Sequence, residues 1–243
     1  MTTVTSDTPA SFFDQFPELT GEAIESAAEK LSAEFEAFDG RPISAPVPVE
    51  SIAEHFLGYE IEISDEGLFA DPEYLGGIVF SENLIQVNAS VEANEGRYNF
   101  TIAHELGHHV LHREIYLGAS SDNASNILCR DTFEKPLIEV QADRFAAALL
   151  MPAKKMAAAV QATEQPKRLV SPRAVRGYAA AVARSGQFSN VSNTAMVNRL
   201  IDLGYLSDAA YQRGTAHDFS RRSRPSISGA IWRLYTRVRR RLK

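Results

Sequence analysis

Cysteine is all but missing from this chain: Cys129 stands alone among 243 residues. One thiol excludes an internal disulfide framework and fits a reducing compartment. Long apolar runs are missing too. The longest, Phe145 to Met151, falls far short of the about 20 residues that a helical membrane span needs. No secretory leader is expected either, since the first twenty residues are polar and acidic, without a basic start or an apolar stretch. The chain is therefore expected in the cytoplasm, with no membrane span. Acid is missing after Asp218: residues 219–243 carry nine Lys+Arg and no Asp or Glu, whereas residues 1–218 carry 16 Lys+Arg against 31 Asp+Glu. The net charge of -6 thus averages an acidic body and a basic tail, and describes neither. What remains, 44% hydrophobic and 23% charged, has enough apolar side chains for a globular core.

The most informative stretch is His104-Glu105-Leu106-Gly107-His108, inside the run Phe100 to His112. Two histidines four apart lie about 6 Å along one face of an α-helix, so both imidazoles can reach a single ion. Glu105 projects beside them, where it can hold a water. Phe100, Ile102, Ala103, Leu106, Val110 and Leu111 make the rest of this helix read as core with a polar slot cut into it. His112 extends the ladder, but its Cα lies about 12 Å along the axis from that of His104. It cannot share the ion, and reads as a neighbour of the site or as core.

Upstream, residues 1–19 read as a mobile arm. Thr20 can cap a helix carrying Ile24, Ala27, Ala28, Leu31, Phe35 and Phe38 at helical spacing, ended by Asp39-Gly40. After a proline-rich connector, Val49 to Leu57 is a second helix stopped by Gly58. Tyr59 to Ile63 alternates as a half-buried strand should. Gly76 to Phe80 and Leu84 to Asn88 form a hairpin around Ser81-Glu82-Asn83, a platform beside the histidine helix whose edge could hold an extended peptide. Simple completion of the sheet is the equal alternative.

Downstream, a polar loop is expected from Gly118 to Asn126, then a helix from about Pro136 to Met151 with Ile138, Ala142, Phe145, Ala146, Leu149 and Leu150 as its buried stripe. Glu139 and Asp143 share a face of that helix at i and i+4. Their repulsion calls for compensation by a cation or a histidine N–H if they are near a buried site. Ala174 to Arg184 and Val191 to Leu206 read as a helix pair resembling a helix-turn-helix, with Ser192 as a cap. As a DNA reader the pair is weak, because Arg199 is the single basic residue on its second helix and Asp202 follows. Ile227, Ile231, Leu234, Tyr235, Val238 and Leu242 give the tail an apolar stripe between arginines: a basic amphipathic helix that can dock on an acidic protein, a nucleic acid, anionic lipid or the protein's own acidic body.

The segment Phe100 to His112, taken with Glu139-Val140-Gln141-Ala142-Asp143-Arg144-Phe145-Ala146-Ala147-Ala148-Leu149-Leu150-Met151-Pro152, resembles the ImmA/IrrE family of metallopeptidases. The likeness covers roughly residues 45–206. It implies an α+β fold, a mostly helical zincin-like metallopeptidase with a small sheet or hairpin beside the active-site helix. It also implies His104 and His108 as metal ligands, Glu105 as general base and Glu139 as third ligand, with Asp143 matching the family's acid or amide one turn on. Two histidines and a glutamate leave a tetrahedral position open for water, as catalytic zinc requires. Asp143 is best placed to hold the other ring nitrogen of a ligand histidine. Zn2+ is the expected cofactor, and such a ligand set also accepts Mn2+ or iron. His109, His112, Tyr178 and His217 are the candidates for stabilising an oxyanion.

The organisation expected is an N-terminal arm and helix over 1–44, a metallopeptidase core over 45–155, a C-terminal helical part over 156–218 and the basic tail over 219–243. Family members commonly cleave helix-turn-helix repressors, so the resemblance implies a protein substrate, a separate DNA-binding repressor or antitoxin-like regulator, in stress or toxin–antitoxin circuits. The alternative is a metal-containing regulatory or nucleic-acid-binding partner with little or no catalysis. Glu105 discriminates between them, because a purely structural site has no use for it.

Overall fold

In a computed structural model of the chain, residues 16–70, 74–119, 137–164 and 171–207 are described. Helix α1 spans Gly21–Asp39. Its start is set by Thr20, whose Oγ1 accepts from the Ala23 N–H at 3.2 Å. Its end is set by Gly40 at φ 73°, a left-handed conformation that glycine adopts without a Cβ penalty. Ile24, Ala28, Leu31 and Phe35 are buried as the spacing predicts. Phe38 departs from the stripe: it lies on the last turn, 58% exposed, and tilts against Phe56 at 5.3 Å. Helix α2, Val49–Ser51, widens over Ile52–Phe56 into a turn with an i to i+5 bond, Leu57 N–H to the Ile52 carbonyl at 3.0 Å.

The sheet has three strands, β1 (Glu60–Ser64), β2 (Gly76–Val79) and β3 (Leu84–Asn88), in the order β1-β3-β2. β2 and β3 form the expected hairpin, with Gly76 opposite Val87 and Val79 opposite Leu84, and Asn83 supplies its positive-φ turn residue. β1 runs parallel to β3, so the chain crosses over between β1 and β2. Short α3 (Ala89–Glu92) leads into α4 (Glu95–Ala119), the long histidine-bearing helix. α4 begins five residues before Phe100, where Asn94 Oδ1 accepts from the Arg97 N–H at 3.1 Å. It also continues through Gly118 to Ala119, where a loop is expected from the sequence; residues 120–126 of that loop and Pro136 lie outside the described residues.

Helix α5 (Leu137–Leu150) packs against α4, and α1 lies across both. Helices α6 (Ala153–Gln161), α7 (Pro172–Ser185) and α8 (Asn193–Asp202) follow, with Ser192 Oγ capping α8 as expected. The fold is mostly helical α+β with a small mixed sheet, zincin-like in architecture. One core joins α1, α4, α5 and the sheet through Ile24, Leu31, Ile85, Ile102, Leu106, Phe145 and Leu149, all buried. Arg199 on α8 is 3% exposed, donating to the Met151 carbonyl at 3.0 Å and gripping the Glu25 carboxylate of α1 with two nitrogens. It is a tie between helices, and the base-contacting surface considered for the helix pair loses its one cation. The basic tail, and with it residues 219–243, lies outside the described residues. Among the described residues no helix is long and apolar enough to cross a membrane.

Of residues 16–19, expected at the end of a mobile arm, Phe16 joins the core and Leu19 packs against it, while Pro17 and Glu18 are exposed. Phe16 is buried edge-on against the His112 ring at 5.6 Å, and the Pro17 carbonyl accepts from the Gln141 side chain at 2.8 Å.

Candidate metal centre

Close backbone approach builds the site. A Cβ at Gly107 would stand 3.1 Å from both Cα and O of Ala142, so the missing side chain is what lets α5 lie against α4 at this level. Glu139, one turn before Ala142 on α5, then reaches the histidine pair. A second close approach occurs at Gly76 on the edge strand β2. A Cβ there would stand 2.4 Å from Thr101 Cγ2 and 3.1 Å from Glu105 Oε1. The strand backbone therefore passes directly beside the Glu105 carboxylate.

Within this frame His104, Glu105, His108 and Glu139 are all buried. The Nε2 atoms of His104 and His108 are 3.1 Å apart. His104 Nε2 lies 3.3 Å from Glu139 Oε2, and His108 Nε2 lies 3.3 Å from Glu139 Oε1. Four ligands held at 2.0–2.1 Å by a tetrahedral ion stand about 3.3 Å from one another. The two imidazole nitrogens are spaced much as two corners of such a polyhedron, each has one oxygen of the Glu139 carboxylate at the same range, and the donor set of two imidazoles and a carboxylate suits zinc as well as other divalent metals. Among the described residues no other three histidine, cysteine or acidic side chains converge in this way.

The outer nitrogens of both rings are engaged. His104 Nδ1 lies 2.8 Å from Asp143 Oδ1, and His108 Nδ1 lies 3.0 Å from His112 Nδ1. Burial works against a charged His104, but the Asp143 and Glu139 carboxylates outweigh it and raise its pKa to about 10 in the absence of a cation. Burial likewise opposes the Glu139 carboxylate, and the two histidines overcome this to hold its pKa well below the usual range. Glu105 differs: burial raises its pKa, a shift only partly offset by His104 and His108. His112 is driven the other way, down to about 3, by burial and by the neighbouring His108.

The remaining oxyanion candidates have other surroundings. His109 is held edge-on by Tyr59, whose hydroxyl is 2.8 Å from its Nδ1. Tyr178 is buried on α7, and His217 lies outside the described residues. A cavity of about 110 Å³ opens beside His104 and Glu105, lined by Gly76, Arg97, Phe100, Thr101 and Ser192 among others. Sequence reasoning missed Gly76, Thr101 and Gln141 as members of this region. Thr101 could have been found, standing one turn before Glu105 on the same helix face; Gly76 and Gln141 carry no local signal.

Residues 65–184 match a peptidase family described as the IrrE N-terminal-like domain. Comparison of the chain with curated proteins gives no match.

Proposed function

Since the chain belongs, through residues 65–184, to the ImmA/IrrE family of metal-dependent peptidases, we propose that it is a zinc endopeptidase of the HExxH type acting in the cytoplasm on a separate regulatory protein. The observation that carries this reading is the convergence of His104 Nε2, His108 Nε2 and the two oxygens of the Glu139 carboxylate, with contacts of 3.1–3.3 Å, next to a buried glutamate of raised pKa. His104, His108 and Glu139 would hold the ion, with Asp143 fixing the His104 ring through its Nδ1–H. A bound zinc supplies the Lewis acidity that brings a water's pKa down to about 7. Glu105 then takes the proton from the attacking water and passes it to the amide nitrogen of the departing chain.

The resemblance of the two motif helices to repressor-cleaving relatives supports a helix-turn-helix repressor or antitoxin-like regulator as substrate. A single cysteine supports a reducing compartment. The test pairs the zinc-loaded chain with a helix-turn-helix regulator from the same organism, taken first from any encoded beside it. Wild type should cleave that protein, and Glu105→Gln should keep its zinc and its fold while losing cleavage, because glutamine cannot accept the water's proton. Undiminished cleavage by Glu105→Gln would remove Glu105 from this role. A wild type that binds zinc and the regulator without hydrolysis would make the chain a metal-containing regulatory partner instead.

A further inference from the structure

His112 is buried with both ring nitrogens bonded, and the bonds form a directed chain. It starts at a group whose role is fixed: the Pro17 backbone carbonyl can only accept. The Gln141 amide nitrogen, 2.8 Å away, must therefore donate to it, which turns Gln141 Oε1 towards His112 Nε2 at 2.9 Å. That oxygen can only accept, so His112 carries its proton on Nε2. A neutral imidazole then has a bare Nδ1, and His108 Nδ1, 3.0 Å away, must be the donor. His108 is left with its lone pair on Nε2, the atom that faces Glu139 and His104.

We infer that His112 is a positioning residue that locks His108 in its metal-binding tautomer, and that the segment Phe16–Pro17 anchors this relay and so completes the metal centre. The inference rests on the proposal that His108 is a metal ligand. The two ligand histidines are thus oriented by different devices. His104 has a carboxylate, Asp143, that is partly exposed at the rim of the site. His108 has a neutral, buried relay that ends on a backbone carbonyl 124 residues away from Gln141 in sequence. Phe16 seals the relay by packing edge-on against the His112 ring. Loss of any link would let Gln141 turn over or the His112 proton change sides, and His108 would then present N–H to the ion.

The test measures Zn2+ affinity of the full-length protein by competition with a chromogenic chelator. His112→Phe keeps an aromatic ring and removes the acceptor, so its Kd for zinc should rise about 10–100-fold, and the metal-free protein should melt somewhat lower because the buried Gln141 oxygen loses its donor. His112→Gln, whose carbonyl can accept from His108 Nδ1–H, should recover most of that loss. Gln141→Leu and Phe16→Ala should weaken zinc binding in the same direction. Long-range proton–nitrogen spectra of the zinc-loaded wild type should show His108 as the Nδ1–H tautomer and His112 as the Nε2–H tautomer. Wild-type affinity in His112→Phe, or a His112 proton on Nδ1, would overturn the relay, and the spectrum decides the matter even if the variant does not fold. A wild type that takes up no zinc would be a different result, overturning the metal site itself.

Discussion

Gly107→Ala sets two effects of known size against each other at the contact that assembles the candidate metal centre. In the middle of a helix the exchange of glycine for alanine stabilises by about 1 kcal/mol, because the unfolded chain loses freedom and the helix gains a good former. At Gly107 the new methyl would meet Cα and O of Ala142 at 3.1 Å and Cβ of Phe145 at 3.3 Å. Two of these three atoms are backbone and cannot rotate away, so α5 itself must shift by a few tenths of an ångström. Overpacking of this kind costs about 1–3 kcal/mol. The net expectation is destabilisation of about 0–2 kcal/mol, with Glu139 drawn away from His104 and His108. Gly177 on α7 is the matched control: it is exposed, and a Cβ there meets nothing within 4 Å. Gly177→Ala should gain up to about 1 kcal/mol and leave zinc binding unchanged. Urea unfolding of the metal-free proteins and a zinc competition titration read both consequences. A Gly107→Ala protein stabilised as much as Gly177→Ala, with wild-type zinc affinity, would refute the close-approach argument.

Asp143→Ala should raise the zinc Kd about 10–100-fold without unfolding the protein, measured by the same competition, since it frees the His104 ring rather than removing a ligand. Arg199→Ala should lower stability by about 2–3 kcal/mol in urea unfolding; a buried pair broken on one side costs about 3–5 kcal/mol, discounted here because Glu25 is partly open to solvent. Deleting residues 219–243 should leave zinc content and cleavage of a short peptide intact while weakening cleavage of the whole regulator. Raised salt should mimic that weakening, because exposed charges are screened beyond about 8 Å at physiological ionic strength. A truncated chain that melts several degrees lower would instead make the tail part of the fold.

The elements legible in the sequence are those whose determinants lie within a turn or two of chain. Thr20 and Gly40 bound α1, Ser192 starts α8, and the apolar spacing of α5 matches its buried face, since caps and helical stripes act between residues a few positions apart. The alignment of His104 with His108 belongs to the same class, being a property of helical pitch alone. The start of α4 was legible as well, in Asn94, but the eye is drawn past it to the apolar run from Phe100. What tertiary structure alone decided is every contact between elements. Glycine at 76 and at 107 looks like a turn signal and a helix weakness in sequence; in the fold each marks a place where backbone meets backbone or the Glu105 carboxylate. The parallel pairing of β1 with β3, the burial of Arg199 against Glu25, and the path from His108 through His112 and Gln141 to Pro17 join residues far apart in the chain. Such meetings follow from how whole helices and strands pack, and the hydrogen-bonding groups concerned are the same in sequence whether they meet a partner or water.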